Sequence, residues 1–211
     1  MPLLLLFLFI PILFGMLFFN ILTLSFAKLG VHPLAAMFIL TASLLGSIIN
    51  LPISRQKVVV DTPRPEWLPL MIFYDPPKVR NQFIFINVGG AVIPVLFSIY
   101  LLFNGAPFQQ TVLATLVMVL LSKYLAKPVP GRGIIMPFFI PPLLAAFVAL
   151  IISPGNAAPV AYISGVLGTL IGADILNIPR FKRLGSTGVS IGGAGVFDGI
   201  FLVGIVAALL S

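Results

Sequence analysis

"GGAGVFDGIFLVGIVAALL" (residues 192–210) is a run long enough to cross a bilayer, glycine-rich at its start, with a single carboxylate, Asp198, set inside it. A helix needs roughly 20 apolar residues to span a hydrocarbon core. Comparable runs recur along the whole chain. The 211 residues are 60% hydrophobic and only 8% charged, with a mean hydropathy of +1.19. A soluble domain of this length would carry roughly a quarter charged residues. These features define an all-α integral membrane protein, a single transmembrane domain over residues 1–211.

Seven spans are expected, at about 2–26, 33–51, 83–103, 109–126, 134–152, 158–178 and 191–210. The net charge of +7 would suggest nucleic acid in a soluble protein, but its distribution points elsewhere. Connection two holds Arg55, Lys57, Arg64, Lys78 and Arg80. Connection four holds Lys123, Lys127 and Arg132, and connection six holds Arg180, Lys182 and Arg183. The opposite side has Lys28 alone. By the positive-inside rule the N-terminus is cytoplasmic and the C-terminus outside, in a multi-pass protein of the cell membrane. Membrane lipids are the expected partners and nucleic acid is not. The first span, "PLLLLFLFIPILFGMLFF", lacks a basic start and is longer than the apolar core of a secretory signal, so it reads as a mature helix.

The longest polar stretch, 54–81, is expected to be a cytoplasmic loop. Its β-prone runs VVV (58–60) and MIFY (71–74) flank a proline-rich centre, a pattern suited to a short hairpin. Trp67 and Tyr74 suit the headgroup level. In span five, Pro137, Pro141 and Pro142 remove backbone donors and predict a kinked or broken helix. In span seven the glycines predict an unwound start. With no cysteine there is no thiolate metal site or nucleophile. The lone His32 has no partner at ligand spacing, so neither cofactor nor metal is expected.

The acids carry the chemistry. Asp61, Glu66 and Asp75 fall in the polar loop, leaving Asp174 and Asp198 within spans. A carboxylate at a helix centre costs about 2.5–3.5 kcal/mol on insertion scales and marks a functional site by default. Gly168-xxx-Gly172 and Gly195-xxx-Gly199 let backbones approach, so spans six and seven are expected to pack together. Asp174 lies about 6 Å inside its helix end at 1.5 Å per residue. Asp198 would lie about 13 Å deep if span seven were helical from Val189, but about 5 Å deep if residues 185–194 are unwound. Only the unwound form matches the two depths. Two carboxylates that close cannot both ionise, so the pair holds a proton. One member can then activate a water while the other polarises a peptide carbonyl. A coupled transporter could use the same exchangeable proton.

The segment "GAGVFDGIFLVGIVAAL", with Gly193, Gly195 and Asp198 preceded one span earlier by Asp174, resembles the intramembrane aspartyl proteases of the presenilin and signal-peptide-peptidase type. Those carry Gly-x-Gly-Asp where this chain has Gly-x-Gly-x-x-Asp, and they usually have nine spans. Pro142-Leu143-Leu144 echoes their Pro-Ala-Leu, though ahead of the aspartates rather than after them. The chain as a whole resembles, chiefly over 157–210, a prokaryotic membrane family with only a domain-of-unknown-function label. The protease resemblance implies Asp174 and Asp198 as the catalytic pair, with Gly193, Gly195 and Pro142 beside a transmembrane peptide substrate. The alternative is a small proton- or cation-coupled transporter using the same aspartates. A third reading makes the aspartates polar glue, paired with Asn177, Asn87 or Ser190.

The charge bias predicts that a cysteine placed at Ser211 reacts with an impermeant thiol reagent in intact cells, while one at Thr62 stays protected. The reverse labelling pattern would refute the orientation.

Overall fold

The computed structural model describes residues 24–60, 78–129, 133–137, 139–181 and 188–193, with single positions at 13, 15, 16, 20, 21 and 206. The chain is mostly helical. Residues 24–28 are helical and turn at Gly30, where φ is +74°. Helix α1 (Pro33–Gly46) follows, with Pro33 in its first turn and the His32 Nδ1 accepting the Leu34 N–H at 3.3 Å. His32 is therefore a helix cap, a role a neutral imidazole fills as an acceptor.

Strands β1 (Asn50–Val60) and β2 (Lys78–Asn87) pair antiparallel, with Asn50 opposite Asn87. The expected VVV run closes β1, whereas MIFY lies outside the described residues. After β2 the chain forms a π-helical turn (Val88–Val92), then helix α2 (Ile93–Phe103). Pro94 explains the wide turn. It lacks the N–H that would serve the Gly90 carbonyl, and the Ile93 N–H reaches back five residues to Val88 O.

Helix α3 (Phe108–Leu125) runs into a small antiparallel pair, β3 (Lys127–Val129) and β4 (Gly133–Ile135). Helix α4 (Ile140–Ile152) comes next. Pro141 and Pro142 do not kink it. They occupy its first turn, where a missing N–H costs no hydrogen bond, so the break in this span lies ahead of the helix. A turn at Pro154–Asn156 leads into helix α5 (Ala157–Thr169), then a π-turn (Leu170–Asp174), a 3₁₀ turn (Ile175–Asn177) and the short helix α6 (Ile178–Phe181). Strand β5 (Gly188–Ile191) returns to pair parallel with β2, aligning Phe83 with Gly188 and Ile86 with Ile191. The sheet order is β1-β2-β5. The all-α expectation thus needs correction: β2 occupies 83–87, the start of the expected third span, and β5 shortens the seventh. The short apolar run in "QFIFIN" and the β-prone "GVSI" support extended chain as well as they support a span.

Two described helices are long and apolar enough to cross a membrane, Phe108–Leu125 and Pro154–Arg180. The second is 72% buried and the first only 22%, so α5 is the central post and α3 stands at the perimeter. Phe26, Phe97 and Tyr162 pack ring on ring, with centroids 5.6 Å apart for Phe26–Phe97 and 5.0 Å for Phe97–Tyr162. They tie residues 24–28 and α2 to α5. On the other flank Ala114, Met118, Ala145, Ala149, Val160 and Ala161 join α3, α4 and α5. The outer faces carry exposed Phe38, Leu45, Phe103, Leu116, Leu120, Phe147 and Ile151. A soluble monomer rarely exposes so much contiguous apolar surface, whereas lipid tails accept it.

Gly168 and Gly172 do not serve as expected. They receive α3: a Cβ on Gly168 would collide with the Met118 side chain, and one on Gly172 would stand 2.9 Å from Ser122 Cβ. The small-residue pair in the sixth span therefore docks the fourth. Gly168→Leu should lower the thermal midpoint in detergent, since overpacking costs about 1–3 kcal/mol. Gly155→Leu, at a position with open space around its Cβ, should leave the midpoint unchanged. Equal midpoints for the two variants would contradict this packing.

Candidate functional site

The central helix changes form where its only carboxylate sits. Asp174 closes the π-turn and is 3% exposed. Pro179 lacks the N–H that would serve the Ile175 carbonyl, which instead receives the Ile178 N–H in a tighter 3₁₀ turn. The Asn177 side chain covers part of the opening, donating from Nδ2 to Ala173 O at 2.9 Å and Gly172 O at 3.3 Å. Broken backbone at membrane depth survives only with such substitutes. Among the described residues the buried Asn177 Oδ1 and Thr169 hydroxyl have no hydrogen-bond partner.

Asp174 reaches across to the chain that follows β5. Its Oδ2 accepts the Gly192 N–H at 2.8 Å. Gly192 has φ +69° and sits third in a turn closed by the Gly193 N–H donating to Ser190 O at 3.2 Å, where a positive φ favours glycine. The same residue touches the first π-turn. A Cβ on Gly90 would collide with the Gly192 carbonyl oxygen, and one on Gly192 would stand 2.7 Å from the Gly90 carbonyl carbon. Two glycines thus cross backbone on backbone, and the carboxylate of the second π-turn ties down the crossing.

A second polar knot anchors this segment to the sheet. Ser190 Oγ donates to Asn50 Oδ1 at 2.6 Å, and Asn87 Nδ2 donates to the same oxygen at 3.1 Å and to Ser47 O at 2.7 Å. Asn87 Oδ1 accepts the Gly90 N–H at 2.7 Å. Ser43 Oγ donates to Gly89 O. The expected pairing of an aspartate with Asn87 or Ser190 is not seen for Asp174: Asn87 and Ser190 bond to Asn50 and backbone, while Asp174 takes the Gly192 N–H.

Of the candidate residues, the structure brings Asp174 close to Gly193's turn. Gly193 lies in the non-helical segment expected there: residues 188–191 are strand and Gly192 is a turn. Its N–H, expected to be open to a substrate strand, is instead used by Ser190 O. Pro142 is wholly buried in the first turn of α4. Asp198 and Gly195 lie outside the described residues, as does the expected approach of the two aspartates. Among the described residues no group of three or more His, Cys, Asp or Glu side chains is placed to hold a metal. Asn50 and Gly90 have no role in the sequence reading, and Gly192 enters it only within the glycine-rich stretch expected to be unwound. The run Asn87-Val88-Gly89-Gly90 after a short apolar run is the available signal.

These features define the class: a mostly helical membrane protein with a small sheet joined to a buried carboxylate in its central helix. The chain belongs to the family described as "Protein of unknown function (DUF1614)", whose model matches residues 44–210. No curated protein and no solved structure matches it.

Asp174→Ala removes the acceptor of the buried Gly192 N–H, which costs about 1–3 kcal/mol. Asp174→Asn keeps a carbonyl oxygen in place. Thermal unfolding in detergent should therefore show a lowered midpoint for the alanine variant and one near wild type for the asparagine variant. An alanine variant as stable as wild type would rule out the clamp.

Proposed function

We propose that the chain is an intramembrane aspartyl endopeptidase, or a close relative, that hydrolyses peptide bonds of membrane-embedded substrates with Asp174 and Asp198. One observation carries this reading: Asp174 is hydrogen-bonded to Gly192, six residues ahead of Asp198 in the sequence. Extended chain covers at most about 3.6 Å per residue, so the link keeps the second acid within roughly 22 Å of Gly192. The non-helical backbone over 188–192 supports the shallower depth for Asp198, the one that matches Asp174. The Asn177 Oδ1, one turn beyond Asp174, has no hydrogen-bond partner among the described residues, which leaves a buried acceptor near the acid.

In this reading the protein is multi-pass in the cell membrane, with about seven spans, N-terminus inside and C-terminus outside, as the charge bias indicates. The transmembrane peptide would approach the Gly193–Gly195 stretch and the start of α4 near Pro142. A second reading is a proton- or cation-coupled transporter. A buried carboxylate at a break in a central helix favours it, because discontinuous helices form the coupling sites of many transporters.

The discriminating experiment presents single-span substrates in liposomes to wild type, Asp174→Asn and Asp198→Asn. The protease reading expects cleavage by wild type and a loss of at least about a thousandfold in each variant, because an amide keeps the shape but cannot exchange the proton. Flux driven by a pH gradient, abolished by the same substitutions and without cleavage, would replace the protease with the transporter.

A further inference from the structure

The end of the bundle away from the sheet holds a feature that Asp174 does not explain. Three connections meet there around a cavity of about 400 Å³. Its lining includes Lys28 and Gly30 from the first connection, Asn104 and Gly105 from the one between α2 and α3, and Gly155 and Asn156 ahead of α5. Gly30 and Gly105 have φ of +74° and +106°, so both connections bend sharply to form the rim. The volume falls within the range of small-ligand sites, about 300–1,000 Å³.

The chemistry of the wall is one-sided. Among the described residues Lys28 is the one basic side chain lining the cavity, and no carboxylate lines it. The described acid, Asp174, lies about 30 Å along the central helix from Pro154. The other polar contributions are the Asn156 amide, the backbone of Gly105 and Gly155, and the second N–H of Asn104 Nδ2, whose first donates to Tyr100 O at 2.8 Å. Asn156 makes no side-chain cap to α5, so its amide is not committed to the helix end. An ammonium beside neutral donors in a concave site suits a phosphate group, which takes several donors at once.

We propose that this cavity binds a phosphate-bearing anion, either free phosphate or the headgroup of an anionic lipid, with Lys28 as the charge that holds it. The site is separate from Asp174 and does not depend on the protease reading.

Native mass spectrometry of the detergent-purified full chain tests it, with inorganic phosphate and phosphatidylglycerol as separate probes and phosphatidylcholine as the zwitterionic control. Wild type should retain phosphatidylglycerol, phosphate or both in preference to phosphatidylcholine. Lys28→Gln should weaken retention about tenfold, the scale of one charge-assisted contact. Lys28→Arg should keep it. Gly155→Leu fills the cavity from a position where a Cβ meets nothing within 4 Å, and it should weaken binding without unfolding. Lys123→Gln, an exposed charge in the last turn of α3, should have no effect. Retention of phosphate assigns a free anion, and retention of phosphatidylglycerol alone assigns a lipid. No preference over phosphatidylcholine, or binding unchanged in both Lys28→Gln and Gly155→Leu, would overturn the proposal.

Discussion

The structure depends on a crossing in which two backbones meet with no side chain between them. Gly90 opens one wide helical turn and Gly192 ends the strand that returns to the sheet, and neither position has room for a Cβ. Close backbone approach brings peptide dipoles together in an apolar medium, where any unpaired donor costs several kcal/mol. Asp174 supplies the acceptor for the Gly192 N–H and Asn87 the acceptor for the Gly90 N–H. Sheet, second helix and central helix are thereby fixed to one another through four residues.

Prolines go with the irregular turns on either side of this crossing, wide before Pro94 and tight before Pro179. Pro94 and Pro179 each withhold a donor from a carbonyl one turn back, and the helices answer with i→i+5 or i→i+3 bonds nearby. The resulting irregular backbone needs polar side chains at membrane depth. Asn87 and Asn177 supply them, as interhelical polar residues commonly do in membranes. This explains why a chain so poor in charge keeps asparagine at these two buried positions. Asp174 differs from them in carrying a titratable group into the same setting, and that difference is the basis for giving it a chemical role rather than a structural one alone.

Much of this was legible in the sequence. The apolar runs defined a membrane protein, the fourth and sixth spans fell within a few residues of the helices at 108–125 and 154–180, and the glycines predicted the non-helical approach at 188–192. Asp174 stood out as a buried acid before any geometry was known. The sheet was less accessible. "FIFIN" and "GVSI" are apolar enough to extend a span, and what turns them into strands is pairing with distant chain: β2 with β1, and β5 with β2. Gly168 and Gly172 were recognisable as a docking face, but the periodicity of one helix does not say which neighbour it receives. Pro141 and Pro142 were read as a kink because their distance from the helix start was not visible. In the first turn they are compatible with a straight helix.

The clamp between Asp174 and Gly192 can be measured directly by hydrogen–deuterium exchange on peptides covering 188–193. A buried amide bonded to a carboxylate opens only with the fold around it. The account predicts that the Gly192 amide in wild type exchanges as slowly as the core of α5, and that Asp174→Ala accelerates it selectively while α5 stays protected. Rapid exchange at Gly192 in wild type, or protection untouched by Asp174→Ala, would contradict it.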